Sequence, residues 1–226
     1  MHSVSATYTT IMSGRHVVEW RLDVNGVSYV PISVDPRREL FSDAPKVGCC
    51  ISCEIDASIM KPSAKVPRMA LLEPFARVTN GILTSEWIPK GQYYIDTRKE
   101  TKNGHGQETL TVHGYDAMLK AEQDCPINGF PRTDISTVNL IASKMGVTVD
   151  PSVATIMNKG YTIQAPIGYS CREVLGYLAA AYAGNFFMND YGKLELVRLN
   201  GYPPETNYLI NSAGYSITFG GDRILV

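Results

Sequence analysis

Cys50-Ile-Ser-Cys53 is the stretch that most resembles a reactive or metal-binding motif, because two thiolates at this spacing can share a zinc ion or cycle through a disulfide. Its surroundings argue against that chemistry. Across residues 47–59, Cys49, Ile51, Cys53, Ile55, Ala57 and Ile59 alternate with Cys50, Ser52, Glu54, Asp56 and Ser58, the period of a half-buried strand. A strand sends Cys50 and Cys53 to opposite faces, so the thiols read as small packed hydrophobes. With Cys125 and Cys171 the chain has five cysteines, an odd count without the spacing of a disulfide framework. Asp96 and Asp116 form an imaginable carboxylate pair for glycoside cleavage. Asp96 reads more simply as a strand end beside Arg98, and Asp116 as a helix cap. Among His2, His16, His105 and His113, no two stand at helical i, i+4 spacing and none lies in H-E-x-x-H. His105 sits in a Gly-rich hairpin tip, and His113 precedes Gly114 at a strand end. Asn103-Gly-His-Gly opens no helix and carries no lysine-serine pair, so it reads as a turn rather than a phosphate cradle. The sequence therefore nominates no catalytic residue, no cofactor-binding residue and no metal ligand.

Composition narrows the function classes. The net charge is −1, and no basic run exceeds two or three residues, which speaks against a groove for nucleic acid phosphates. No apolar run approaches the roughly eighteen residues of a membrane-spanning helix. The first thirteen residues lack the order of a secretory signal, so synthesis in the cytoplasm is expected. Hydrophobic residues make up 44% and charged residues 19%, with 13 Tyr. That balance supports a core without staples and surface fit to be covered by other chains.

The elements that would hold these residues change character along the chain. Residues 6–12 have weak strand character. A strand is expected over 16–24, then the Asn25-Gly26 hairpin turn, then a return arm over 27–34 that Pro31 should place at an edge or at its own end. Residues 37–41 are ambiguous, with one helical turn possible. The cysteine strand follows, then a Pro/Ser/Lys loop over 61–65, and 67–73 is open between strand and short helix. The organising stretch covers residues 78–99 and 109–120 and reads strand, turn, strand, turn, strand, helix. Ile82, Leu83, Trp87, Ile88, Tyr94, Ile95, Leu110 and Val112 are the kind of residues that cover a sheet face, and Pro89-Lys90-Gly91 and Asn103-Gly104-His105-Gly106 mark reversals. Tyr93 and Tyr94 should point to opposite faces. Six or seven short strands at this spacing suggest a closed or nearly closed antiparallel barrel.

After Gly114 the period lengthens. A helix is expected over 115–123 with Asp116 as cap. A second should place Ile135, Val138, Ile141, Ala142 and Met145 on one face, capped by Thr133 or Asp134 and closed by Gly146. A third starts with the capping-box pattern Ser170-Cys-Arg-Glu173. Extended pieces fall at 147–150 and 161–164, and a hairpin at 185–199. The chain closes with Pro203-Pro204 and a half-hairpin over 216–226. The fold class is thus α+β: an antiparallel β-barrel domain (1–114), a small α/β insertion domain (115–200) and a C-terminal β segment (201–226).

Three stretches carry a family likeness. Val24-Asn-Gly-Val, Asn80-Gly-Ile-Leu-Thr-Ser-Glu-Trp-Ile-Pro-Lys-Gly-Gln-Tyr-Tyr-Ile-Asp and Leu110-Thr-Val-His-Gly-Tyr-Asp-Ala-Met-Leu-Lys-Ala-Glu resemble the tail-hub (baseplate-hub or tail-tip) proteins of bacteriophages and prophages. Arg172-Glu-Val-Leu-Gly-Tyr-Leu-Ala-Ala-Ala-Tyr-Ala-Gly-Asn-Phe, with Gly192-Lys-Leu-Glu-Leu after it, resembles their helical insertion. The resemblance covers roughly residues 15–200 and brings no catalytic residue. It implies tube-like β domains, self-association as a trimer, a tail-tube protein on one side, a spike or tip protein on the other, and a place in the virion tail after synthesis in the bacterial host. Hub proteins are substantially longer, so residues 201–226 are expected to begin a second barrel or to complete the first. Two other classes compete: a cell-wall hydrolase using Asp96, Asp116 or His113, and a carbohydrate-binding module at the tail tip.

Overall fold

The computed structural model describes residues 4–41, 46–102, 104 and 106–199, together with residues 218–219 and 222–223. It opens not with a strand but with a helix, α1 (Ala6–Met12). Ser5 decides this: its side chain accepts from the Tyr8 N–H, capping the helix, while its own N and Oγ donate to Glu86. The helix buries Ile11.

Strands β1 (Val17–Val24) and β2 (Val27–Tyr29) form the expected hairpin around Asn25 and Gly26, both at positive φ. The return arm does not continue on β1. Pro31 has no N–H to donate, and Ile32 N donates instead to the Ser58 carbonyl at 2.7 Å. The chain thereby crosses to β3 (Ser33–Arg37), which pairs with β4 (Glu54–Met60). Pro36 is accommodated because β3 is an edge. β5 (Leu71–Thr79) settles the open region as a strand and matches β1 over its whole length, from Val17↔Thr79 to Val24↔Leu72. β6 (Ile88–Pro89) adds to β5, and β7 (Tyr93–Lys102) and β8 (Glu108–Asp116) form a long ladder with an irregularity at Asp96. Asn103 and His105 lie outside the described residues.

All strands of this eight-stranded sheet are antiparallel to their neighbours, in the order β2-β1-β5-β7-β8-β4-β3 with β6 on β5. The expected barrel is corrected here: among the described residues no ladder joins β2 to β3. The sheet is nonetheless not flat. Seven strands laid side by side would separate their outer members by about 29 Å. The four residue steps from Tyr29 to Ser33 reach about 15 Å at most. The sheet must curl to bring its two edges toward each other.

The cysteine strand begins at Glu54 rather than at 47, because Gly48 at φ +82° and the bridge Cys50↔Phe186 take residues 48–50 out of the ladder. Ile82 and Leu83 are not on the sheet. Asn80 Oδ1 accepts from both of their N–H groups, at 3.0 and 2.8 Å, and turns them outward, leaving Ile82 91% exposed.

Past β8 the expected α-helix is a tight 3-10 helix (Ala117–Glu122), capped as foreseen by Asp116. β9 (Arg132–Thr133) leads into α2 (Asp134–Met145), whose cap is Thr133 and whose closing residue Gly146 is left-handed. An additional short helix, α3 (Pro151–Ile156), follows Asp150, and β10 (Thr162–Ile163) pairs with β9. α4 (Cys171–Ala181) carries the complete capping box, and β11 (Gly184–Met188) with β12 (Leu194–Arg198) forms the expected hairpin. In the C-terminal region β13 (Thr218–Phe219) pairs with β14 (Asp222–Arg223). The tail's Pro203-Pro204 and Gly220-Gly221 lie outside the described residues.

Two apolar cores result. One lies within the sheet, with Leu22, Ile55, Ile59, Leu72, Ile95 and Leu110. The other joins the helices to the small hairpin, with Met118, Ile141, Met145, Leu175, Phe186 and Leu194. Tyr93 is buried in the first, and its neighbour Tyr94 packs against the second, as strand alternation requires.

Candidate interaction surface

The residues that sequence reading weighed for catalysis do not converge. Asp96 is exposed at the irregularity between β7 and β8, in mid-strand and not at its end, and Arg98 donates to the Val66 carbonyl. Asp116 is buried between the cores, its Oδ2 accepting from Cys53 N at 2.9 Å and its Oδ1 from Met118 N at 3.0 Å. Burial outweighs those bonds and pushes its carboxyl up to about 6. His113 Nδ1 lies 2.9 Å from Asp56 Oδ1, and its ring meets Tyr115 edge-on at 4.9 Å. Cys50 and Cys53 belong to different cores, and burial pushes both thiols up to about 12. No group of three potential metal ligands occurs among the described residues, and none of their helices is long and apolar enough to cross a membrane.

The surface is distinctive in a different respect. On the outer face of β1 and β5, Glu19 stands opposite Arg77 and Arg21 opposite Phe75. The Arg21 guanidinium is 4.3 Å from the Phe75 ring centre and 5.1 Å from that of Trp87, and Arg77 is 4.4 Å from Trp87. Glu19 holds Arg77 at 2.7 Å, and Asp23 holds Arg21 at 3.1 Å. Each cation–π contact at such a site contributes about 0.5–1 kcal/mol. The stack is charge-balanced and held in place by cross-strand register, so binding against it costs little side-chain entropy. A cavity of about 610 Å³ opens beside it, reaching from Trp20 and Trp87 to Tyr29, Val30 and Pro31.

That cavity continues onto the rim of the sheet. β2 covers only Leu22 to Val24 of β1. Along the rim Val17, Val27, Val30 and Ile32 are exposed, Val30 to 85%. Single exposed apolar residues are ordinary, whereas a run of them beside an open strand edge makes this rim a candidate for contact with another chain. Sequence reading missed the arginine–aromatic stack. Its signal was the alternation Glu19-Trp20-Arg21, but the partners Phe75, Arg77 and Trp87 become neighbours only through strand pairing.

The helical part has a second exposed aromatic group. Tyr169 and Tyr177 meet edge-on at 5.6 Å, and Tyr177 flanks a cavity of about 480 Å³ between residues 46–51 and α4. Gly48 and Gly176 set the wall of that cleft. A Cβ on Gly176 would lie 2.8 Å from the Gly48 carbonyl oxygen, so the backbones meet without side chains between them. Arg172 fastens the same joint, donating to the Cys50 and Met118 carbonyls and to Ser52 Oγ and pairing with Glu122 at 2.6 Å.

The fold matches solved tail proteins. The 43 kDa tail protein of prophage MuSo2 from Shewanella oneidensis superposes with a TM-score of 0.54 at 16% identity, over 87% of this chain and 57% of that one. The tail protein from Neisseria meningitidis MC58 superposes with a TM-score of 0.53 at 13% identity, over 83% of this chain and 53% of that one. At these identities the likeness is one of fold. The chain spans a little over half the length of both structures. No protein-family model matches the sequence, and no curated protein matches it.

Proposed function

We propose that this chain is a structural subunit of a bacteriophage-type or prophage-type tail, acting by binding and not by turnover. The observation that carries the proposal is the shared fold with two tail proteins over more than four-fifths of this chain. The resemblance of residues 15–200 to tail-hub proteins refines it to a hub between tail tube and spike or tip, self-associating as a trimer, with the virion tail as its place. In that role residues 1–114 form the tube-like β unit, 115–200 the α/β insertion, and 201–226 the start of further β structure. The open sheet edge, the apolar rim at Val27, Val30 and Ile32 and the rigid arginine–aromatic stack supply the kind of surface such contacts need.

Mass photometry and crosslinking of the purified protein, alone and with tube and spike proteins of the same element, test the proposal. The expected result is a trimer that retains the tube protein. A monomer indifferent to both proteins would sink it. Val30→Lys with Ile32→Lys should weaken association while leaving the melting temperature of the isolated chain nearly unchanged, since exposed substitutions shift stability by only about 0.5 kcal/mol.

A further inference from the structure

The open edge of β1 has a defined length and a defined set of bonding groups. Asn25 N donates to the Leu71 carbonyl at 2.9 Å, and these two residues continue the register that runs from Val17↔Thr79 to Val24↔Leu72. In an antiparallel ladder, residues that bond to one neighbouring strand alternate with residues that bond to the other. The odd-numbered residues of β1 therefore bond to β5, and the even-numbered ones turn their N–H and C=O groups away from it. Of these, Val24 and Leu22 meet Val27 and Tyr29 of β2. The next pair on that ladder would set Pro31 opposite Trp20, but Pro31 has no N–H, and Ile32 N donates to the Ser58 carbonyl instead. Trp20 and Val18 thus turn two N–H and two C=O groups toward a side where no described strand takes them. The cavity of about 610 Å³ lies along this edge, between residues 18–21 and the departing residues 29–31. The other open stretches carry devices that keep strand edges apart. β3 holds Pro36 and an exposed Arg37–Asp35 ion pair at 3.0 Å. β7 runs on past its pairing with β5 as Thr97-Arg-Lys-Glu-Thr-Lys102, after the irregularity at Asp96. β2 has only three residues. Residues 17–21 contain no proline and no irregularity, and Val17 and Val18 are exposed.

We propose that this edge accepts a strand from a partner protein: an extended antiparallel segment, about five residues or roughly 17 Å long, that pairs with residues 17–21. Two hydrogen bonds at Trp20 and two at Val18 hold its backbone. Its side chains follow from the register. An acidic residue stands opposite Arg21, a basic one opposite Glu19, and β-branched residues opposite Trp20 and Val18. Asp23 and Arg77 already anchor Arg21 and Glu19, so both charges are presented in fixed positions. A second copy of this chain fits less well. The register that pairs residues 17–21 with themselves sets Glu19 of one copy against Glu19 of the other, and like charges directly opposite are destabilising. The proposal rests on the tail reading only in naming a neighbouring tail protein as the source of the strand.

Hydrogen exchange read by NMR tests the edge in the free protein. The Val18 and Trp20 amides should exchange quickly, and those of Glu19 and Arg21, bonded to β5, slowly. Protected Val18 and Trp20 amides would show an edge already taken and overturn the proposal. The peptide acetyl-Ser-Glu-Val-Lys-Val-Thr-Ser-amide then serves as the strand. It should shift the Val18 and Trp20 amide signals saturably below about 1 mM. The same peptide with proline in place of the valine that meets Trp20 should give no shift. Exchanging its Glu and Lys should weaken binding roughly threefold to tenfold. Val18→Pro removes an outward N–H, sparing the bonds to β5, and should weaken binding of the first peptide at least about tenfold. If that variant unfolds, the proline peptide on the wild-type protein still decides. No saturable shift, or equal binding of the three peptides, sinks the proposal. With tube and spike proteins of the same element, a complex that leaves both amides exposed overturns it too, whereas peptide binding without any such complex would count against the tail reading alone.

Discussion

Asp116→Asn tests which force governs the buried carboxyl at the joint between the two cores. The side chain is 2% exposed. Two backbone N–H bonds and the nearby Arg172 favour its charged form, and burial opposes it and wins, raising the carboxyl from 3.8 to about 6. An acid raised in the folded state stabilises the protein most when protonated. Its contribution is complete below about 3.8 and is lost as pH rises through about 6. A shift of roughly two units corresponds to about 3 kcal/mol. Asn does not titrate, and it keeps a single acceptor oxygen. Its NH2 group must face either the Cys53 or the Met118 N–H, leaving a buried donor unpaired at a cost of about 1–3 kcal/mol. At pH 4 the variant should be the less stable protein by about that amount. At pH 7 the wild type carries its own ionisation cost, so the difference should close or reverse. At about 2–4 °C per kcal/mol for a chain of this size, the gap in melting temperature should swing by about 6–12 °C between the two pH values. Calorimetry of both proteins across that range is the assay, and comparing the pair cancels every other titrating group. A gap that stays constant or widens with pH would refute the dominance of burial and show that the N–H bonds hold the carboxylate charged. Hydrolytic activity on peptidoglycan lost in this variant would overturn the assignment of Asp116 to a structural role.

Two further substitutions probe the same joint. Gly176→Ala should ordinarily stabilise a helix interior by about 1 kcal/mol, yet here its Cβ would meet the Gly48 carbonyl oxygen at 2.8 Å. A net loss of about 1–2 kcal/mol in urea unfolding is expected, and a net gain would show that residues 46–51 yield freely. Arg172→Ala strands the Cys50 and Met118 carbonyls and should cost about 2–4 kcal/mol. Arg172→Lys should recover only part of that, because a point charge cannot satisfy acceptors spread around a planar fork. Equal stability of the Lys variant and the wild type by chemical denaturation would contradict this.

Local pattern carried a large share of the fold. β1, the β4 segment, β7, β8, α2 and α4 follow from period and cap signals that act within a few residues. Asn25-Gly26 supplies its own turn geometry, and Ser170 with Glu173 satisfies its own helix end. The misreadings occur where a distant partner outweighs the local preference. Residues 6–12 have strand-like side chains, but Ser5 meets Glu86 and caps a helix. The alternation of residues 47–53 is that of a strand, but Asn185 takes the Cys49 N–H and Arg172 the Cys50 carbonyl, drawing the segment toward the helical core.

The sequence alone determined that this is an α+β chain with a strand-rich first half and helices after Gly114, and that its candidate catalytic groups lack the spacing of known catalytic motifs. Both follow from composition and short-range periodicity. Only the tertiary structure decided that the return arm leaves β1 for the far side of the sheet, and that Arg21, Phe75, Arg77 and Trp87 make one surface. The physical reason is that strand pairing and core closure join residues through hydrogen bonds and burial at long range. Which strand a polar edge accepts depends on every other edge already being satisfied, and no window of sequence contains that information.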